Sequence, residues 1–388
     1  MSDALMNTYG RLPVAFVEGE GAWLTDDQGN RYLDALAGLG VTGLGHSHPE
    51  VTRVISEQAG RLLHTSNLYQ IPAQEKLAEK LTAVADMDRV FFANTGAEAN
   101  ECAIKICRLY GKNKGITNPT IIVMETSFHG RTLATLTATG SRKVQAGFEP
   151  LVNGFVRAPF NDLVALEKIA KNNASVVGVM LEPIQGEGGI NVAGDDYLKS
   201  LRQLCDENEW LMVLDEVQSG NGRTGTYFNY QQHDILPDIV TTAKGLANGI
   251  PIGACLARGI AAETLKPGNH GTTFGGNPFS CSVALRVMDV IEKEKLMENA
   301  RKVGDYLMDR LRHRLAGLNN VKEVRGAGLM IGIELTQPST ELVAQSQARG
   351  LLINVTAEKV IRLLPPLILT QEQADTIVDV LGDIIEND

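Results

Sequence analysis

Leu211-Met212-Val213-Leu214-Asp215-Glu216-Val217-Gln218 and, after a polar stretch, Ile239-Val240-Thr241-Thr242-Ala243-Lys244-Gly245 decide the fold. Each is a short unbroken apolar run that stops at a chemically capable residue. Runs of this length and composition suit strands buried on both faces. Further runs stand at Arg89–Ala93, Thr120–Glu125, Val176–Leu181 and Gly253–Ala257, with helical spacing between them. That alternation predicts an α/β architecture with a mainly parallel sheet flanked by helices.

Outward from this centre the pattern changes. Residues 17–36 read as a small antiparallel unit around the turn Asp26-Asp27-Gln28-Gly29, and Pro49 opens a helix. A long helix is expected from Ser280 to His313. Val324–Leu335, Leu351–Val355 and Val360–Leu364 read as strands. A final helix spans Thr370–Ile385, with Thr370 and Gln373 forming a capping box. The domain reading is three-part: 1–48 packs with the small domain, 49–276 is the large α/β domain, and 277–388 is a smaller α+β domain.

The chain has 388 residues, enough for two domains. Its formal charge of −10 argues against nucleic-acid binding, which relies on basic surface. The five cysteines form no C-x-x-C pair and read as free packing thiols of a reducing compartment. The N-terminus lacks the basic and apolar regions of a secretory signal, and no run approaches the roughly 20 apolar residues of a membrane span. A cytoplasmic location away from membranes is expected.

Candidate chemistry gathers where runs end. Lys244 offers an amine that can hold an aldehyde cofactor as a Schiff base, and Asp215 a carboxylate that can keep a ring nitrogen protonated. Many α/β enzymes keep a metal-binding aspartate at such a position, but metal ligation needs further carboxylates or phosphates nearby and Glu216 is the only local option. Thr95-Gly96-Ala97-Glu98 joins a strand to a helix and suits a phosphate, although Thr95 and Glu98 also form an ordinary capping box. Phe128 can stack on a flat ring and Arg131 can hold a carboxylate; the alternative is a core aromatic and a surface arginine. Glu182-Pro-Ile-Gln-Gly-Glu187-Gly-Gly is a shaped loop with two carboxylates, and Gly271-Thr272-Thr273-Phe274-Gly275-Gly276 a tight loop with two hydroxyls. Gly38-Leu-Gly40-Val-Thr-Gly43 matches a dinucleotide fingerprint but lacks the acid about 20 residues on. His46 and His48 read as loop or cap residues.

In this order, Thr-Gly-Ala-Glu-Ala-Asn (95–100), Phe-His-Gly-Arg-Thr (128–132), Glu-Pro-Ile-Gln-Gly-Glu-Gly-Gly (182–189), Leu-Asp-Glu-Val-Gln (214–218), Ala-Lys-Gly (243–245) and Thr-Thr-Phe-Gly-Gly-Asn-Pro (272–278) resemble the class III, ornithine-type aminotransferases that depend on pyridoxal 5′-phosphate (PLP). The resemblance implies a fold-type I enzyme with a seven-stranded sheet, working as a homodimer with shared active sites. It implies Lys244 as the Schiff-base lysine, Asp215 at the ring nitrogen, Gln218 near the ring hydroxyl and Phe128 stacked on the ring. Thr95, Gly96 and Ala97 would hold the phosphate, with Thr273 reaching the other subunit's cofactor. Arg131 and Thr272 would lie along the substrate, Arg362 would grip an α-carboxylate, and Glu187 would pair with Arg362. No metal is implied. The reaction implied moves the terminal amino group of N2-acetylornithine to 2-oxoglutarate in arginine biosynthesis. Other ω-amines (succinylornithine, succinyldiaminopimelate, ornithine, 4-aminobutyrate) are the alternatives, and an aminomutase or decarboxylase of the same fold is more distant.

Overall fold

The computed structural model describes residues 4–387. Seven strands form the central sheet, in the order Arg89–Ala93, Gly253–Ala257, Ile239–Thr242, Leu211–Asp215, Val176–Leu181, Thr120–Met124, Phe155–Ala158. Five of the six apolar runs become parallel-running members, and Gly253–Ala257 alone runs against both neighbours. Every residue of Val176–Leu181, Leu211–Asp215 and Ile239–Thr242 is buried, which is why these strands carry no alternation.

The helix Gly96–Asn113 lies across the sheet and buries Ala99, Cys102, Ala103, Ile106 and Cys107. All five cysteines are buried and free. Among the described residues no helix is long and apolar enough to cross a membrane.

The edge strand Phe155–Ala158 is absent from the sequence reading. It is short, only Ala158 is fully buried, and Arg157 interrupts its apolar character. Its neighbours place it in the sheet, since Ile121 to Met124 pair with Phe155 to Ala158 in parallel register.

The expected helix Ser280–His313 is two helices, Pro278–Lys293 and Leu296–Arg314. Where they meet, Glu292 to Lys295 are all exposed, so no core contact carries a helix through. Lys295 adopts the left-handed conformation (φ 54°), which ends the hydrogen-bond ladder. The expected strand Val324–Leu335 is likewise a hairpin, Val321–Ala327 and Met330–Leu335, turning at Gly328.

That hairpin belongs to a second, antiparallel sheet. Its order is Val321–Ala327, Met330–Leu335, Val360–Leu363, Asn354–Thr356, and Arg362 sits on an inner strand between Gly332 and Asn354. The N-terminal antiparallel unit (Phe16–Glu20, Trp23–Asp26, Arg31–Asp34) meets the C-terminal part directly, because Leu351 and Leu352 pair in parallel with Leu33 and Asp34.

The last helix runs Gln371–Glu386. Thr370 Oγ1 accepts from Gln373 N at 3.2 Å, and the Gln373 side chain returns the bond to Thr370 N. Replacing Thr370 with Ala removes that cap and should cost about 1 kcal/mol. Thermal denaturation should place Thr370→Ala below wild type and Thr370→Ser close to it. Equal midpoints for Ala and Ser would show that the cap contributes nothing.

Candidate active site

Strands that run the same way bring their carboxyl ends to one edge of the sheet, where ligands of open α/β sheets bind. Here the edge receives Asn94 and Thr95 from the first strand, Phe128 and His129 after Met124, Glu182 after Leu181, Asp215, and Lys244 after Thr242. They surround a cavity of about 500 Å³, lined also by Ala97, Arg131, Glu187, Val217 and Gln218. Nine of the twelve residues singled out in the sequence line this one space.

Lys244 is half-buried and has no hydrogen bond or ion pair among the described residues. Burial disfavours its ammonium, the nearby Arg362 charge adds to this, and Glu187, Asp215 and Glu182 only partly offset both. Its pKa falls to about 8. Its backbone is left-handed (φ 44°), costly for a residue with a side chain. The loop is fixed from outside: Asn248 Oδ1 accepts from Leu44 N at 2.8 Å, and Asn248 Nδ2 donates to Gly45 O at 3.0 Å.

Asp215 is 4% exposed and carries three hydrogen bonds. Its Oδ2 accepts from Asn100 Nδ2 and pairs with His129 Nδ1, both at 2.7 Å, and its Oδ1 accepts from Val217 N at 3.1 Å. Asn100 is in turn oriented by Thr241 Oγ1 and the His129 carbonyl. Burial works against a charged His129, yet the hydrogen bond and charge of Asp215 outweigh it and hold its pKa above the ordinary value. His129 Nε2 is buried without a partner, so the ring's one polar link is to Asp215. Sequence reading quoted Asn100 and His129 inside motifs but gave them no role. Their partner lies 115 and 86 residues away, and no local spacing signals it.

Glu216 serves elsewhere. It is fully buried and accepts from Asn229 N, Tyr230 N and Ser219 Oγ, holding the 228–230 turn. Burial lifts its pKa to about 7 against those bonds.

The cap at Thr95 is real: Glu98 N donates to Thr95 Oγ1, and Thr95 N to Glu98 Oε2. The same turn opens the helix Gly96–Asn113 onto the cavity. A side chain at Gly96 would meet Val217 Cγ1 at 2.7 Å, so glycine lets this helix end press against the loop after Asp215.

Arg362, on the second sheet, is fully buried behind the cavity wall and bonds two residues that line it. Its Nη1 donates to Glu187 Oε1 at 2.7 Å and to Gln218 Oε1 at 3.3 Å, and its Nε to Asn354 Oδ1 at 3.0 Å. Arg131 is exposed and lies over the Phe128 ring at 5.7 Å. Thr272 and Thr273 stand outside this cavity. Thr272 Oγ1 accepts from Asn94 Nδ2, and Thr273 is exposed on a loop tied to Asn67 through the Thr272 and Gly275 carbonyls. His46 and His48 are absorbed by Asp34 and Glu294.

Comparison with known proteins converges on one family. The profile described as Aminotransferase class-III matches residues 5–385. The acetylornithine aminotransferase of Nitrosomonas europaea is 56% identical over 381 residues, covering 98% of this chain and 97% of that one. That of Methanothermobacter thermautotrophicus is 46% identical, covering 99% and 96%. Among solved structures, the ornithine aminotransferase from Toxoplasma gondii superposes with a TM-score of 0.95 at 34% identity, over 99% of this chain and 93% of that one. The N-acetylornithine aminotransferase from Stenotrophomonas maltophilia does so with 0.85 at 36%, over 98% and 97%.

Lys244 should react as an amine at lower pH than other lysines. Amine acylation followed residue by residue by mass spectrometry should give Lys244 a midpoint near pH 8, against about 10.4 for an ordinary lysine. A midpoint near 10 would contradict the buried, unpaired environment.

Proposed function

We propose, from the premise that the chain belongs to the class-III aminotransferases and is a PLP-dependent aminotransferase of fold type I, that it moves the terminal amino group of N2-acetylornithine to 2-oxoglutarate. The products are N-acetylglutamate 5-semialdehyde and glutamate. The observation that carries this reading is the unpartnered amine of Lys244 in one cavity with the fixed carboxylate of Asp215 and the helix start at Gly96. Names of relatives support the substrate, since proteins 46–56% identical over nearly the whole chain are acetylornithine aminotransferases.

The residues fit the cofactor by their chemistry. An aldehyde needs a free amine, and Lys244 is free and half neutral near pH 8. A phosphate needs unpaired N–H groups and a positive helix end, which Gly96 and Ala97 supply at the helix start that Thr95 caps. A protonated ring nitrogen needs a fixed anion, and Asp215 is one. Phe128 gives a flat face, and Gln218 lies on the side toward Arg362. When bound, PLP supplies an electron sink for charge developing at the carbon that bears the transferred nitrogen.

The chain's own work is positional and protonic. Lys244 Nζ would hold the group and, once freed by the substrate amine, would take the proton beside the transferred nitrogen and return it, as base and then acid. Asp215 would keep the ring nitrogen charged, since Asn100, His129 and Val217 N hold Asp215 itself in place. Arg131 would hold the substrate end away from the reacting amine; Thr272, outside this cavity, would meet substrate only in a homodimer.

One site must serve two donors, an ω-amine and the α-amine of glutamate beside its carboxylate. Glu187 neutralises Arg362 in the first half-reaction and leaves it in the second, exposing Arg362 to the α-carboxylate. The 2.7 Å pair supports the first state, and the partial exposure of Glu187 gives it room to move. Thr273, exposed on its loop, reaches the other subunit's cofactor in a homodimer. Five buried, free cysteines accord with work in the cytoplasm.

Two experiments test the reading. The PLP-loaded protein is mixed with N2-acetylornithine, ornithine or 4-aminobutyrate without oxo acid, and the cofactor absorbance is followed. Fast bleaching with N2-acetylornithine, reversed by 2-oxoglutarate, is expected. Faster bleaching with another amine assigns another substrate, and none with any amine contradicts the reaction. Second, Glu187→Ala should raise kcat/KM for glutamate relative to N2-acetylornithine by roughly tenfold. An unchanged ratio removes the switch.

A further inference from the structure

Glu182 follows the strand Val176–Leu181 and is 6% exposed, facing the same cavity. Its two oxygens point to two different loops. Oε1 accepts from Phe128 N at 2.8 Å, and Oε2 accepts from Gly186 N at 3.1 Å. The first loop carries Phe128 and Arg131, and the second leads directly to Glu187. A buried carboxylate survives only where hydrogen bonds replace its water, and two backbone N–H groups do so here. Burial still lifts its pKa to about 7, against the opposing pull of His129 and those N–H groups.

The second anchor has little freedom. Gly186 is pressed onto Gln218, so that any side chain there would run into the Gln218 amide, and Gln218 in turn accepts from Arg362. The peptide at Gly186 is therefore fixed on one side by Glu182 and on the other by Gln218. One residue later the Glu187 side chain is partly exposed.

We propose that Glu182 is a positioning residue that ties the ring-side loop of Phe128 to the Glu187 loop, so that the Glu187 side chain leaves Arg362 while its backbone stays in register with Phe128. Its consequence for donor choice rests on the reading of Glu187 given above. The tie itself is a statement about two hydrogen bonds from one carboxylate. Glutamine at this position has a single acceptor oxygen, and its NH2 group would face a backbone N–H. Glu182→Gln therefore frees one loop while conserving volume, and Glu182→Asp, shorter by one carbon, reaches only one of the two.

Hydrogen exchange of the PLP-loaded protein, read by mass spectrometry over residues 126–131 and 184–189, tests the tie. Loss of one charge-assisted hydrogen bond should speed exchange by roughly tenfold or more in at least one segment of Glu182→Gln. Its preference between glutamate and N2-acetylornithine should shift in the direction set by Glu187→Ala. Unchanged exchange in both segments overturns the tie, and faster exchange with an unchanged preference overturns its role in donor choice. If Glu187→Ala itself leaves the preference unchanged, the Glu187 reading has failed, and exchange alone judges the tie. Wild-type protein gives a second measurement should the variants not fold. The carboxyl takes up its proton below about pH 7 and then keeps one full acceptor oxygen. Protection, corrected for intrinsic exchange, should fall in at least one of the two segments between pH 8 and pH 6. Loss in neither overturns the proposal.

Discussion

Charge buried without water must be neutralised by neighbours, and that constraint orders this molecule. Asp215, Glu182 and Arg362 are all at least nine-tenths buried around one cavity, with Glu187 and Lys244 at its wall. Asp215 is satisfied by Asn100, His129 and Val217 N, Glu182 by two backbone N–H groups, and Arg362 by Glu187, Gln218 and Asn354. Lys244 alone is left without a partner. A buried ammonium with no counter-ion is unfavourable, so the site itself drives this amine toward its neutral, nucleophilic form.

The fold delivers these groups by two independent routes. The parallel strands bring Asp215, Glu182, Phe128 and Lys244 to one sheet edge, a property of chain direction more than of side-chain detail. Arg362 comes from the antiparallel second sheet, and its strand pairs with both Met330–Leu335 and Asn354–Thr356. The Arg362–Glu187 pair is thus a contact between the two sheets' territories as well as a charge pair. The Lys244 turn is itself strained: Lys244 and Asn248 are both left-handed, and Asn248 is bonded to the Leu44–Gly45 backbone.

Much of this was legible in the sequence where the signal is local. The buried strands announce themselves as unbroken apolar runs, and Thr370 with Gln373 as a cap. Each site residue at a strand end follows its run within a few positions. What stayed hidden depends on distant partners. Asn100 and His129 acquire a role only because Asp215 meets them across the sheet, and Glu182 only because two loops converge on it. The break at Lys295 was hidden because apolar spacing continues on both sides while the four residues around the junction face solvent. Phe155–Ala158 has too little apolar character to be read alone, and its neighbour recruits it.

Lys244, and no other lysine, is the amine this cavity keeps free for an aldehyde. Reduction of the PLP-loaded protein with borohydride, digestion and mass spectrometry of the peptides tests it directly. One pyridoxyl group per chain, on Lys244, is expected. A label on any other lysine, or none retained after reduction, would contradict it.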